Sequence, residues 1–315
     1  MNKSRRLTEG ALMAGIYLIL LLLSLYMPII GPFMIFVLPV PFAYYAHRHG
    51  WKPGALVFLV ALIFSLLFAT VISPVTLLAG IGGLFLGGAM HKKRGSYETL
   101  AIGSVGFIIG IVLLFLATQF VFDVNWIDDF NNNLEEGVTS AENLLSGVMD
   151  EEQVEQQIAA MREQIAFLPD IMPSILAMTG IVLAFLNQWI TYKVINRVEK
   201  KSYRFVSFKN FRLPSAVLWY YLIALILNLI VGDGGGLLYL AAINIFTLTG
   251  TLIVIQGFSF VFFYAGVKKW SKAIPVVLIV FTLLLPQLML YLVRILGIID
   301  LGFPLRERLG ETKDK

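Results

Sequence analysis

Long apolar runs separated by short polar turns fill most of the 315-residue chain. They predict membrane-crossing helices near 9–27, 29–46, 54–72, 75–90, 99–122, 170–192, 213–231, 238–265 and 273–299. The second and fourth runs are short and interrupted. Pro32, Pro39 and Pro41 break one; the other follows Pro74 and holds Gly80, Gly82, Gly83, Gly87 and Gly88. Broken helices persist at membrane depth only inside protein or beside a wet cavity, so these two are expected to be interior or partly re-entrant. Between 123 and 170 the period changes. Trp126, Phe130, Leu134, Val138, Ala141, Leu145 and Val148 recur every three or four residues, as do Val154, Ile158, Met161, Ile165 and Leu168. This predicts two amphipathic helices joined near Gly147–Asp150, their apolar stripes facing each other. Asp150 and Gln153 resemble a capping box at the start of the second.

Composition strengthens the membrane reading. At 58% apolar residues, 14% charged and a mean hydropathy of +0.82, the chain is not an ordinary soluble domain. The expected fold class is an all-α polytopic integral membrane protein with about eight or nine transmembrane helices. The absence of cysteine excludes disulfides, thiolate nucleophiles and Cys-ligated metals. Lys3, Arg5 and Arg6 before an apolar run would suit a signal peptide. That run continues to about Met27 with no small-residue cleavage site, and further spans follow, so it is expected to be a retained first helix.

Charge then orients the spans. Of 24 Lys and Arg, 18 fall in five groups: Lys3/Arg5/Arg6, Arg48/Lys52, Lys92/Lys93/Arg94, seven positions from Lys193 to Arg212, and Lys268/Lys269/Lys272. Every group occupies an alternate loop, which predicts a cytoplasmic N-terminus. The 123–170 segment, with twelve acidic residues against Arg162 alone, then lies outside as a lid or docking element. Nine crossings would also put the tail "PLRERLGETKDK" outside. Either this tail is translocated, which the reading favours, or 273–299 is a re-entrant pair broken at Pro286. Arg294 is expected to snorkel toward an interface.

Small residues stand out against this background. Gly10/Ala14 and Ala11/Gly15 form a bare patch on the first helix. Ala79, Gly83 and Gly87 make a second stripe, and Gly106 and Gly110 a third. In lipid, pairing helices gain little from apolar burial, and close backbone approach supplies the packing. The second and third stripes are candidate packing surfaces within the chain, and the first is the candidate seat for a partner helix.

The runs "LTEGALMAGIYLIL", "MPIIGPFMIFVLPVPFAYYAHRHGWKPG" and "GIGGLFLGGAMHKKRGSYETLAIGS" resemble the substrate-binding (S) components of energy-coupling factor (ECF) transporters. Over its full length the chain resembles the YybS-type family of bacterial membrane proteins. The S-component likeness covers 8–122 and 170–195. It implies a six-helix core, an external small-molecule ligand, and docking of the first-helix motif onto a transmembrane T component with separate ATPase subunits. It also implies a bacterial cytoplasmic-membrane location. The chain departs from that family in its acidic insertion and its C-terminal extension, and no ligand contact carries over. The expected division is a core at 1–122 and 170–195, an extracytoplasmic hairpin at 123–169, a basic cytoplasmic loop at 196–212, a transmembrane extension at 213–299 and a charged tail at 300–315.

Candidate chemistry is sparse. His47, His49 and His91 end spans beside cations, with no acidic neighbour in sequence, and read as interface anchors rather than zinc ligands. "GDGGG" at 232–236 lacks a following Lys-Ser/Thr and reads as a turn. Polar groups inside spans, among them Ser65, Asn187, Gln188, Asn244 and Gln256, either bond across helices or line a pocket for an uncharged ligand. No carboxylate is expected at membrane depth. The reading is therefore not an enzyme, with no cofactor, no metal and no nucleic-acid partner, but contact with membrane lipids. Two functions stay open: a solute-binding component energised by partner subunits, and a non-transporting scaffold or regulator that keeps the core.

Overall fold

The computed structural model describes residues 3–29, 31–232, 235–271, 273–303 and 305–311. Asp233 and Gly234 of the "GDGGG" turn, Lys272, and the tail's Pro304 and residues 312–315 lie outside them. The described residues are mostly helical and divide into two compact units. One comprises 1–169 and 176–204; the other comprises 170–175 and 205–315.

The first unit begins with α1 (Lys3–Tyr26). The proline-broken second run becomes a short α2 (Gly31–Met34) and α3 (Val40–His49). Gly50 ends α3 at φ 86°, a backbone state that glycine adopts without steric cost. It leads directly into α4 (Trp51–Phe68), and Pro74 precedes α5 (Val75–His91). The longer α6 (Ser96–Phe122) completes this group. Tyr17 and Leu21 of α1, Phe42 and Tyr45 of α3, Ala61 of α4 and Ala79 of α5 form one buried cluster.

The α5 stripe explains how broken helices fit here. A Cβ on Gly83 would lie 2.5 Å from the Pro39 carbonyl, and one on Gly87 would collide with the Ala43 carbonyl. The α3 backbone thus rests directly on α5. On α6, Gly106 meets the Phe85 side chain, and a Cβ on Gly110 would lie 2.9 Å from the Leu78 Cα.

The acidic insertion is α7 (Trp126–Leu145) and α8 (Glu151–Ile165). Val138, Val154 and Ile158 are buried together, flanked by Ala141, Leu145, Met161 and Ile165. Val148, at the stripe's end, is 80% exposed. Asp150 caps α8 without a side-chain hydrogen bond, so the expected capping box does not form. Asn125 caps α7 instead, its side chain accepting from the backbone N–H groups of Ile127 and Asp128. The next helix, α9 (Met172–Glu199), runs past the expected end at 192 and carries Lys193 and Arg197.

The second unit holds α10 (Ala216–Val231), the 32-residue α11 (Gly236–Val267), α12 (Ala273–Leu284), α13 (Pro286–Gly302) and α14 (Leu305–Glu311). Gly257 faces the Val293 carbonyl and Gly297 the Ile253 carbonyl, so α11 and α13 touch backbone to backbone. The favoured single crossing at 273–299 is not what forms. The helix breaks at Leu285, and α13 returns so that Asp300, Arg306 and Glu307 lie beside Gln256, Lys209 and Arg212. The C-terminal segment therefore ends on the same side of this unit as the basic loop. Pro286 removes a backbone donor at the break, which a continuous helix does not tolerate.

Among the described residues, five helices are long and apolar enough to cross a membrane: Ser4–Tyr26, Trp51–Phe68, Ser96–Phe122, Met172–Glu199 and Gly236–Val267. Val75–His91, Ala216–Val231 and Ala273–Leu284 are shorter apolar helices.

Candidate functional site

The four small residues of α1 point two ways. Gly10 and Ala14 face the interior: a Cβ on Gly10 would lie 3.1 Å from Val57 and 3.2 Å from the Tyr45 hydroxyl, and Ala14 is 5% exposed. Ala11 and Gly15 lie one residue further round the helix. Ala11 is exposed, and a Cβ on Gly15 would meet nothing within 4 Å. On a different side of α1 an open groove of about 500 Å³ runs between α1, α3 and the end of α9, and neither Ala11 nor Gly15 lines it. Leu12, Ile16, Val40 and Val198 line its length, and Glu9 and Arg48 close one end.

That end is electrostatically tied. Glu9 accepts from the His49 Nε2–H at 2.8 Å and from Arg5 Nε at 3.1 Å, and Arg48 lies 3.4 Å away. The Tyr45 hydroxyl donates to the Arg6 carbonyl. A second knot follows. The Lys201 ammonium pairs with Glu199 at 2.6 Å and reaches His47 Nε2 at 3.3 Å, while the His91 ring donates to the His47 carbonyl at 2.8 Å. The hydrogen bond to Glu199 raises the Lys201 pKa above its ordinary value. His47, Arg48, His91, Lys93, Glu199 and Lys201 surround a cavity of about 520 Å³.

Acidic partners therefore do accompany His47 and His49, contrary to the sequence reading, because Glu9 and Glu199 arrive from distant helix ends. Among the described residues, no group of three or more His, Asp or Glu is placed to hold a metal ion. The arrangement binds four basic segments of the first unit together at one end.

Inside this unit the Tyr17 hydroxyl donates to Thr76 at 2.7 Å, and Thr76 donates to Ser65 at 3.0 Å. On α9, Asn187, Gln188 and Thr191 have no exposed surface. Gln188 donates to the Ser96 carbonyl and the Tyr192 hydroxyl. Its Oε1, Asn187 Oδ1 and Thr191 Oγ1 are buried without a hydrogen-bond partner among the described residues. Buried polar atoms left this way are uncommon.

The second unit holds a feature the sequence reading missed. Asp300 has no exposed surface, so a carboxylate is buried after all. Arg306 donates to both of its oxygens, at 2.6 Å from Nη2 and 2.8 Å from Nε, and Gln256 donates to it as well. Arg306 also reaches the Lys209 carbonyl and the Ser259 hydroxyl. The available signal was a lone Asp closing an apolar run, followed by Arg306 in the tail; the partners on α11 and the loop were not visible.

Arg294 does not reach the basic end of this unit. Its guanidinium lies 5.7–5.9 Å from the ring centres of Tyr221, Phe246 and Tyr291 and 3.4 Å from a Cβ built on Gly250. Helical side chains lean toward the helix N-terminus, and the N-terminus of α13 points away from the basic end.

The family described as "Predicted membrane protein (DUF2232)" matches residues 15–301. The "Uncharacterized protein YybS" of Bacillus subtilis (strain 168) is 28% identical over 98% of this chain and 100% of its own length. No solved structure matches the chain.

Proposed function

We propose, for this chain, which belongs to the DUF2232 family of predicted membrane proteins, that it is a solute-binding component of the bacterial cytoplasmic membrane. It takes its energy from partner subunits and does no covalent chemistry of its own. Its N-terminus is cytoplasmic, in keeping with the alternation of basic groups along the sequence. The outer face of α1 seats a transmembrane helix of the partner, a T component of an ATP-driven module in the S-component reading.

The single observation behind this is the bare outward face of α1, where Ala11 is exposed and a Cβ on Gly15 would meet nothing within 4 Å. Bare backbone facing outward favours close helix approach, a source of affinity between helices in lipid. The unpaired polar atoms of Asn187, Gln188 and Thr191 support binding of an uncharged or weakly polar small molecule.

Replacing Ala11 or Gly15 by Trp tests the seat, because both residues face outward and the fold tolerates added volume there. Partner subunits that co-purify with the wild-type protein are expected to be lost, while Leu67→Trp on the exposed side of α4 keeps them. Recovery of the same subunits from the Ala11 and Gly15 variants would refute the seat.

A scaffold reading rests on the acidic hairpin, which buries its own stripes and needs no ligand. Deleting 126–166 separates the two readings: a scaffold loses protein contacts, a solute binder changes ligand retention.

A further inference from the structure

At the basic end of the second unit, a cavity of about 470 Å³ lies between the loop around Lys209, the last turns of α11 and the start of α12. That volume falls within the range of small-ligand sites. Its walls have two characters. Phe208, Phe262, Trp270 and Pro275 offer apolar surface, and Lys209 and Lys269 offer charge; its described lining includes no carboxylate.

The loop is held in place rather than draped. The Ser259 hydroxyl lies 2.8 Å from the carbonyls of Phe208 and Phe211, and Arg306, anchored on Asp300, donates to the Lys209 carbonyl at 2.8 Å. Phe208 packs edge-on against Phe262 with ring centres 5.6 Å apart. On the other wall, Lys269 sits in a left-handed turn at φ 55°, closed by the Trp270 N–H donating to the Ala265 carbonyl. Lys209 and Lys269 thus line one cavity with Phe208, Phe262 and Trp270, on backbone held by these hydrogen bonds.

We propose that this cavity is a binding site for an anionic phospholipid, with its phosphate between Lys209 and Lys269 and its chains along Phe262 and Pro275. Lysine binds phosphate as a point charge, and clustered basic residues beside spanning helices attract anionic headgroups. The ends of α11 and α12 meet here, and Trp270 is the kind of residue found at the membrane–water boundary. A free phosphate ion would use the lysines and leave the aromatic wall idle, so the lipid is the occupant that matches both halves. The proposal is independent of the α1 seat.

The test uses the full-length protein purified in detergent and exchanged with phosphatidylglycerol or phosphatidylcholine, with retained lipid counted by native mass spectrometry. Phosphatidylglycerol is expected to stay bound to the wild type and to resist competition by inorganic phosphate. Lys209→Gln and Lys269→Gln should each weaken retention about fivefold; Lys209→Arg with Lys269→Arg should restore it. Gly266→Leu keeps every charge but fills the cavity, since its Cβ would lie 4.0 Å from the Lys209 side chain, and it should also expel the lipid. Lys52→Gln with Lys92→Gln, on the other unit, should not. Undiminished retention in the Lys209/Lys269 and Gly266 variants, an equal loss in the Lys52/Lys92 control, or displacement by inorganic phosphate would overturn the proposal.

Discussion

Asp300 carries the largest single-residue consequence. Removing one partner of a buried ion pair leaves an uncompensated charge and costs about 3–5 kcal/mol, whereas replacing both by apolar groups is often neutral. Arg306 is itself only 11% exposed at its side chain. Asp300→Ala is therefore expected to lower the unfolding temperature of the purified protein markedly, and Asp300→Ala with Arg306→Met to recover most of the loss. A single variant that melts with the wild type would show the pair to be incidental. The sequence displays Asp300 as an isolated charge but not its fate, because Gln256 lies 44 positions earlier and is reached only through the return of α13. Glu9 shows the same limit: His49, its partner at 2.8 Å, is 40 residues away.

At the scale of elements, local pattern carried much of the information. The three-to-four periodicity around Val138 and Ile158 foretold which faces of α7 and α8 would meet, since amphipathic spacing needs no distant partner to be read. Caps were less legible, because Asp150 satisfies the spacing of a capping box while its side chain makes no such bond. The break at Pro286 was visible, but the direction taken after it was not. A proline marks where a helix fails without stating which way the chain turns. The return of α13 is checked with single cysteines, clean probes in a chain that has none. Cysteines at Asn210 and Arg308 are expected to label from one side of the membrane and a cysteine at Leu237 from the other. Arg308 labelling with Leu237 would restore a full crossing.

At the scale of the whole molecule, the returning α13 removes an anomaly in the charge pattern. With nine crossings the basic residues of the tail fell on the wrong side; beside Lys209 and Arg212, Arg306 joins the other cations of its unit, as the positive-inside rule prefers. The match to YybS covers that protein's entire length, so the plan of core, hairpin and returning C-terminal helices is expected there too. The helices also differ greatly in length. The 32 residues of α11 extend about 48 Å, while the 12 residues of α12 beside it extend about 18 Å. A hydrocarbon slab of about 30 Å is shorter than α11, whereas α12 turns back at Leu285 and has no span to match. The excess length of α11 is therefore taken up by tilt or by extension beyond the hydrocarbon. Thicker bilayers should let α11 stand more upright, and reconstitution into lipids of increasing chain length is expected to reduce its tilt as measured by oriented spectroscopy.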